Sequence, residues 1–444
     1  MNDATRRRAA WSVAAAVALA LCVVAAKNLR PSWHAPPDIP VPRGPAARVP
    51  PPGATIAHDD AELRRLLGDP AGPRELWLEG RVYHGDFEIK RPLTLRGTGQ
   101  SVLDGSGSGT VLTIEADGVT VENLTVRDSG RRHTAEDSGV KATGKNIVLR
   151  DLRTEDTLFG IQLAVCHGCL IEGAHVAGTA GDELRGDGIK IWESHDSAVR
   201  RSLVERARDV VVWYSRRVTL EQLSVRGSRY GAHFMYAHDG ITIDSRFVDN
   251  EVGIFVMYSS RVRAERNVLA GARGSAGMGF GFKESETVLL ASNWVVANTT
   301  GIYLDNTPRS PHEVVRFEKN LLALNDVALR THGANRGIQF ENNDLQGNNV
   351  VGEVDGGGDM LALKFAGNHW SEYAGYDLNR DGQGDVPYEV KRLSGELTDS
   401  RPVLRYFRGT VAMSLVDAIS EAVPTFSRRK LLVDATPSYV RSTP

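Results

Sequence analysis

The chain has 444 residues, 41% of them hydrophobic, and a formal net charge of −2. The length allows one large core, and the near-zero charge gives no electrostatic case for a nucleic-acid partner. Only Cys166 and Cys169 lie outside the N-terminal apolar segment. Cys166-His167-Gly168-Cys169 is too small a donor set for a closed structural zinc site. It reads as a disulfide, as a redox or metal element, or as two ordinary corner residues.

In chain order, Arg6-Arg7-Arg8 and the apolar run from Ala9 to Ala26 have the layout of a secretory signal or a single membrane anchor. Residues 27–53 hold nine of the 19 prolines and read as an extended linker. Asp59 to Gly68 predicts a short amphipathic helix, with Asp59 capping its start and Gly68 its end. From there one phrase returns: Gly or Asp, an apolar residue, any residue, an apolar residue. It appears at Gly139, Gly160, Gly188, Asp209, Gly231, Gly253, Gly279, Gly301 and Asp326, with spacings of 21 to 28 residues. A period in that range signals a solenoid whose coils bury their apolar sides by stacking. The two apolar positions are two residues apart, which is strand periodicity. Too few residues remain per coil for a long helix. The prediction is an all-β, right-handed parallel β-helix of about ten rungs over 54–366, with a short N-terminal cap helix and a C-terminal loop plus helix in 367–444. Asn and Ser at the corners fit tight bends, where Asn tolerates left-handed backbone.

If the second and fourth positions of each phrase point inward, the third and fifth point outward. The third column reads Lys190, Val211, His233, Phe255, Gly281, Tyr303, and the fifth Trp192, Trp213, Met235, Met257, Lys283, Asp305. Tyr214, Tyr236 and Tyr258 follow on three consecutive rungs. An outward face carrying Trp, Met, His and Phe predicts a binding surface, with Trp192, Trp213, Phe255, Tyr236, Tyr258 and Tyr303 as its aromatics. Aromatic stripes stack sugars; thioether and imidazole suit Cu(I). His233, Met235, His238 and Met257 fall within one rung of each other and are the copper candidates. Gly139 to Asn146 nearly matches a phosphate-binding loop, but Asn146 replaces Ser or Thr and a strand follows. Any ATP hydrolysis therefore belongs to another subunit.

Asp377, Asn379, Asp381 and Asp385 place oxygens at positions 1, 3, 5 and 9 of a calcium-type loop, with Gly382 at its sharp turn. Tyr388 stands where the last carboxylate belongs. The loop either binds calcium or is an Asx-turn loop satisfied by its own backbone. Val411 to Ala422 predicts an amphipathic helix with basic flanks (Arg405, Arg408, Arg428, Arg429, Lys430), suited to docking at a membrane surface.

Arg229-Tyr-Gly-Ala-His-Phe-Met-Tyr-Ala-His-Asp239 resembles the central motif of the nitrous oxide reductase maturation proteins of the NosD family. So do Gly367 to Asp385 with Val386-Pro387-Tyr388, and the tail elements Ser400 to Leu404, Pro424 and Asp434 to Pro437. The resemblance spans roughly residues 75–440. It implies a periplasmic β-helix, anchored or released at residues 1–26, that works with an ABC transporter permease and ATPase. It also implies a copper chaperone as donor and nitrous oxide reductase as client, whose copper–sulfur centre receives Cu(I). Such a protein is a metallochaperone-like factor without catalytic residues. The competing class is a carbohydrate-active β-helix, a lyase or epimerase on uronic polymers or a carbohydrate-binding scaffold, with Ser310-Pro311-His312-Glu313 as its nearest motif.

Overall fold

The computed structural model describes residues 36, 38–42, 44–179, 185–391, 401–407, 410, 412–413, 415–416 and 430–442. The N-terminal apolar segment and most of the predicted 411–422 helix lie outside them. Among the described residues no helix is long and apolar enough to cross a membrane.

The short strands form three parallel sheets that coil around one core, a right-handed parallel β-helix. One coil shows the pattern. Tyr230–Met235 lies on the first sheet, Ile241–Ile243 on the second and Arg246–Val248 on the third, and Val252–Met257 then stacks on Tyr230–Met235. The first sheet has 12 strands, from Phe87–Ile89 to Val350–Asp355; the second has 16 and the third 13. The third sheet therefore counts thirteen coils, more than the ten expected. The additional coils lie at the two ends, at Val82–His84 and His369–Trp370, and carry no Gly phrase to count.

The second-position ladder is continuous. Val140 pairs with Ile161, Ile161 with Ile189 and Ile189 with Val210; Ala232, Ile254, Phe280 and Ile302 follow, all fully buried. The Asp326 phrase departs from it. Ile302 pairs with Leu329, so Val327 stands opposite Thr300, two residues earlier than its phrase suggests. Glycine at the phrase start is a packing requirement. A Cβ on Gly231 would sit 2.4 Å from the Gly253 carbonyl oxygen and 2.7 Å from the Phe247 ring.

The corners use asparagine in two ways: Asn123, Asn146, Asn306 and Asn342 take the expected left-handed backbone, and a second set forms a buried row. Asn267, Asn293, Asn320, Asn343 and Asn368 are fully buried, and the left-handed residue is the one before: Arg266, Ser292, Lys319, Asn342 and Gly367. Each side chain donates to a carbonyl of a preceding rung and accepts the amide of the row residue before it, Ser245 for Asn267 and an Asn thereafter; Asn320 Nδ2 reaches Leu290 O at 3.0 Å and Asn343 Oδ1 at 2.9 Å. The chain finishes the row with Asp434, on Lys430–Asp434, whose Oδ2 accepts from Asn368 Nδ2 at 2.9 Å and Trp370 Nε1 at 3.0 Å.

At the other end the Asp60–Gly68 helix seats Leu63, Leu66 and Leu67 on the first coils. Asp59 caps it, accepting from Glu62 N at 2.8 Å, and Asp69 rather than Gly68 closes its C-terminus. The upstream segment is tied along one corner. Arg48 bonds Glu122 at 2.8 Å, Asn123 exchanges two bonds with Ala46, and Asp38 meets Arg246 at 3.3 Å.

Candidate metal centre

The first sheet sets the outward columns as the register predicts. Lys190, Val211, His233, Phe255, Gly281 and Tyr303 stand on successive rungs, as do Trp192, Trp213, Met235, Met257, Lys283 and Asp305. The face is less open than expected. Val211 is fully buried, His233 is 5% exposed and Phe255 8% exposed, although all three point away from the core. Their neighbours bury them. Outward residues on adjacent rungs lie about 4.8 Å apart, so large side chains close over one another.

His233 is the centre of this packing. Its Nε2 lies 3.2 Å from Met257 Sδ on the next rung. Its Nδ1 accepts from the Trp213 indole N–H at 3.4 Å. The rings of Trp213, Tyr230 and Phe255 enclose it at centroid distances of 5.8, 4.8 and 6.2 Å. Met235 stands between Trp213 and Met257 in the fifth column. Burial lowers the His233 pKa from 6.5 to about 4; Asp209 opposes that shift and Arg229 adds to it. The imidazole is therefore neutral at ordinary pH, the form that ligates a metal. Around the cage, Arg229 Nε donates to Asp209 Oδ1 at 3.0 Å and the guanidinium lies 4.7 Å from the Tyr230 ring centroid.

The other predicted residues are distributed around this centre. His238 has its own neighbours: its Nδ1 meets Ser260 Oγ at 2.8 Å, and burial, then Arg216 and Arg261, lower its pKa. None of its bonds is shared with His233 or Met257. Tyr214, Tyr236 and Tyr258 stack at 5.2 and 5.0 Å with interplanar angles of 9° and 14°. Trp192 extends the Trp213 column by one rung, and Tyr303 stands two rungs beyond Phe255.

Sequence reasoning missed two residues of this face. Tyr230 and Met278 precede the phrase glycine, where a strict alternation of two assigns them no face. A bulge opposite Asp209–Val211 adds one residue at Tyr230–His233 and turns Tyr230 outward. Met278 reaches the same face, since a Cβ on Gly281 would meet Phe255 Cδ2 at 2.5 Å and Met278 Sδ at 3.1 Å. Trp213 was read as an aromatic surface, and its hydrogen bond to His233 is visible only from the register.

In the C-terminal loop the candidate calcium oxygens accept backbone amides. Asp377 takes Asp381 N at 3.2 Å and Gly382 N at 2.9 Å, Asn379 takes Asp381 N at 3.0 Å, Asp381 takes Gln383 N at 2.8 Å, and Asp385 takes Leu378 N at 2.7 Å. This is the Asx-turn pattern. No group of three or more His, Cys, Asp or Glu suited to a metal occurs among the described residues. Cys166 and Cys169 are free, buried thiols. Cys166 Sγ bonds Ala142 O at 3.3 Å, as Ser194 Oγ bonds Leu163 O at 3.2 Å one rung on. The neighbouring Cys169 sulfur, then burial, push the Cys166 thiol up.

A family model described as "Periplasmic copper-binding protein (NosD)" matches residues 168–375, a span that contains the whole His233 cage. Two relatives named "Probable ABC transporter binding protein NosD" match most of the chain. The one from Pseudomonas aeruginosa is 28% identical over 77% of this chain and 83% of its own length. The one from Stutzerimonas stutzeri is 25% identical over 80% and 84%. Together these matches support the NosD family for this chain. Among solved structures, the A-module of the Azotobacter vinelandii mannuronan C-5 epimerase AlgE6 superposes with a TM-score of 0.50 at 11% identity, over 71% of this chain and 96% of that one. The catalytic domain of a GH87 α-1,3-glucanase does so with 0.51 at 12% identity, over 76% and 71%. At such identity these neighbours carry the fold and not the activity. The chain shares the solenoid with them.

Proposed function

We propose that this NosD-family chain is an exported, periplasmic accessory protein that holds Cu(I) transiently and works beside an ABC transporter in maturing the copper–sulfur centre of nitrous oxide reductase. The observation that carries this reading is the contact of His233 Nε2 with Met257 Sδ, 3.2 Å, inside an aromatic cage. A neutral imidazole and a thioether are soft, uncharged donors that suit Cu(I) better than hard cations. The family's copper-binding description and the relatives' transporter-binding names support it. Met235 completes the donor set, and a copper chaperone is the donor on this reading. His238 belongs to an Arg-rich corner and serves as a contact residue of that partner. The N-terminal segment supplies export and, if uncut, attachment to the inner membrane; the 411–422 segment supplies transporter docking.

The carbohydrate reading is less well supported. Stacked tyrosines spend their ring faces on one another, which leaves edges rather than platforms for a sugar.

Titration of reduced protein with Cu(I) against a competing chelator tests the site. His233→Ala, and Met235→Ala with Met257→Ala, are expected to weaken binding at least tenfold and to stop copper transfer to apo nitrous oxide reductase in the presence of the transporter. Curves identical to wild type would move the site to Cys166, His167 and Cys169. Absence of copper binding together with turnover of a uronic polymer would favour the carbohydrate reading.

A further inference from the structure

Metal-binding histidines ordinarily donate from the second ring nitrogen to a carboxylate or carbonyl, which leaves the first nitrogen bare for the metal. His233 has the opposite arrangement. The group at its Nδ1 is the Trp213 indole, which is a donor only. Nδ1 must therefore accept, and the neutral ring carries its proton on Nε2, the nitrogen that faces Met257 Sδ. A protonated nitrogen has no lone pair for copper.

We propose that Trp213 is a positioning residue that latches His233 in the tautomer unable to ligate Cu(I) through Nε2. This inference rests on the copper reading above and says how that site is tuned. Loading then requires three balanced changes. The Nε2 proton leaves to solvent, Nδ1 takes up one proton, and the Nε2–Cu(I) bond forms as the Trp213 N–H loses its acceptor. No net proton and no electron is exchanged. On release the latch re-forms. Trp213 therefore lowers affinity and favours handover, the opposite of what a ligand or a packing residue does. The placement of Trp213 supports this. Its ring is held edge-on to the imidazole at 88°, with the Lys190 ammonium 6.0 Å from its centroid, so the N–H direction is fixed.

The test uses the full chain, Trp213→Phe, His233→Ala and Met257→Leu. Long-range nitrogen NMR of the histidine rings reads the apo tautomer without copper. Wild type is expected to show His233 protonated on Nε2, and Trp213→Phe to shift it toward the Nδ1-protonated form. Cu(I) titration should find Trp213→Phe roughly two- to tenfold tighter than wild type, the range one neutral hydrogen bond supplies. Met257→Leu keeps the wild-type tautomer and loses affinity. An unchanged tautomer in Trp213→Phe, or affinity equal to or weaker than wild type, overturns the latch while leaving the copper reading intact. If His233→Ala binds copper like wild type, His233 is not a ligand and the copper site lies elsewhere, at Cys166, His167 and Cys169. The latch then fails as a regulator of copper, whatever the tautomer.

Discussion

Two rows run along the same solenoid with inverted chemistry. The Asn267–Asn368 row is polar and lies inside; the Trp213, His233, Met257 and Phe255 set is largely apolar and lies outside. The inner row is closed. Every Asn side chain from Asn267 to Asn368 both donates and accepts, and Asp434 terminates it. The outer set is joined by fewer bonds: His233 Nε2 meets Met257 Sδ at 3.2 Å, and His233 Nδ1 accepts from Trp213. The contrast separates polarity that holds a fold from polarity available to a ligand. Buried polar groups that satisfy one another in a continuous row are structural, whereas a soft pair held by single weak bonds can exchange them for a ligand.

The largest effect should come from breaking the inside of the rung that carries the outer set. Ile254 is fully buried between Ala232 and Phe280. Ile254→Asp places an unpaired carboxylate there and is expected to cost about 4 kcal/mol, read as loss of the cooperative urea transition. Retention of near-wild-type stability would contradict the ladder.

The inner row comes next. Asn320→Ala removes the side-chain bond to Leu290 O and leaves the buried Asn293 N without its acceptor, at a cost of about 3 kcal/mol by denaturant midpoint. A loss below about 0.5 kcal/mol would mean the row is not the stabilising device described.

The outer set contributes through pH. Because burial holds His233 near pKa 4 in the fold and an unfolded histidine titrates near 6.5, the unfolded state takes up the extra proton in between. Stability from this residue is complete above pH 6.5 and falls by up to ~3 kcal/mol as pH drops through that window. His233→Gln should lose that slope relative to wild type; parallel curves would place His233 in a wetter site.

The smallest change is at the C-terminal loop. Asp377→Ala removes two amide bonds at an exposed turn and should lower stability by about 1 kcal/mol, equally with and without a calcium chelator. A chelator-dependent difference would show that the loop does more than satisfy itself.

Much of the fold was legible because a parallel β-helix converts repeat phase into position. Ile161, Ile189 and Val210 could be stacked from spacing alone. Register failed where a residue was inserted. The bulge at Tyr230 and the two-residue offset at Val327 both break a strict alternation, and neither changes composition. Left-handed corners such as Asn123 and Asn342 were legible, and the inner row was not, because an inward Asn with ordinary backbone and a left-handed Asn look alike in sequence. Of the site, His233 and Met257 were legible from column and rung. His238 was not separable from them, since five residues along a strand carry a side chain around a corner into a different charge environment. Burial of the outward face was also hidden, because it depends on how large side chains on neighbouring rungs close together.

The tyrosine stack gives the middle rungs an optical identity. Three phenol rings, nearly parallel with centroids 5.0 to 5.2 Å apart, are close enough for their transitions to couple, so the stack is expected to add a circular dichroism signal that separate rings lack. Its circular dichroism follows the spacing and tilt of adjacent coils beside the His233 cage. The central ring matters more than a third of the total: losing Tyr236 leaves no adjacent pair, while losing Tyr258 leaves one. Coils that shift when a partner seats on this face would thus announce themselves in the spectrum without any added label.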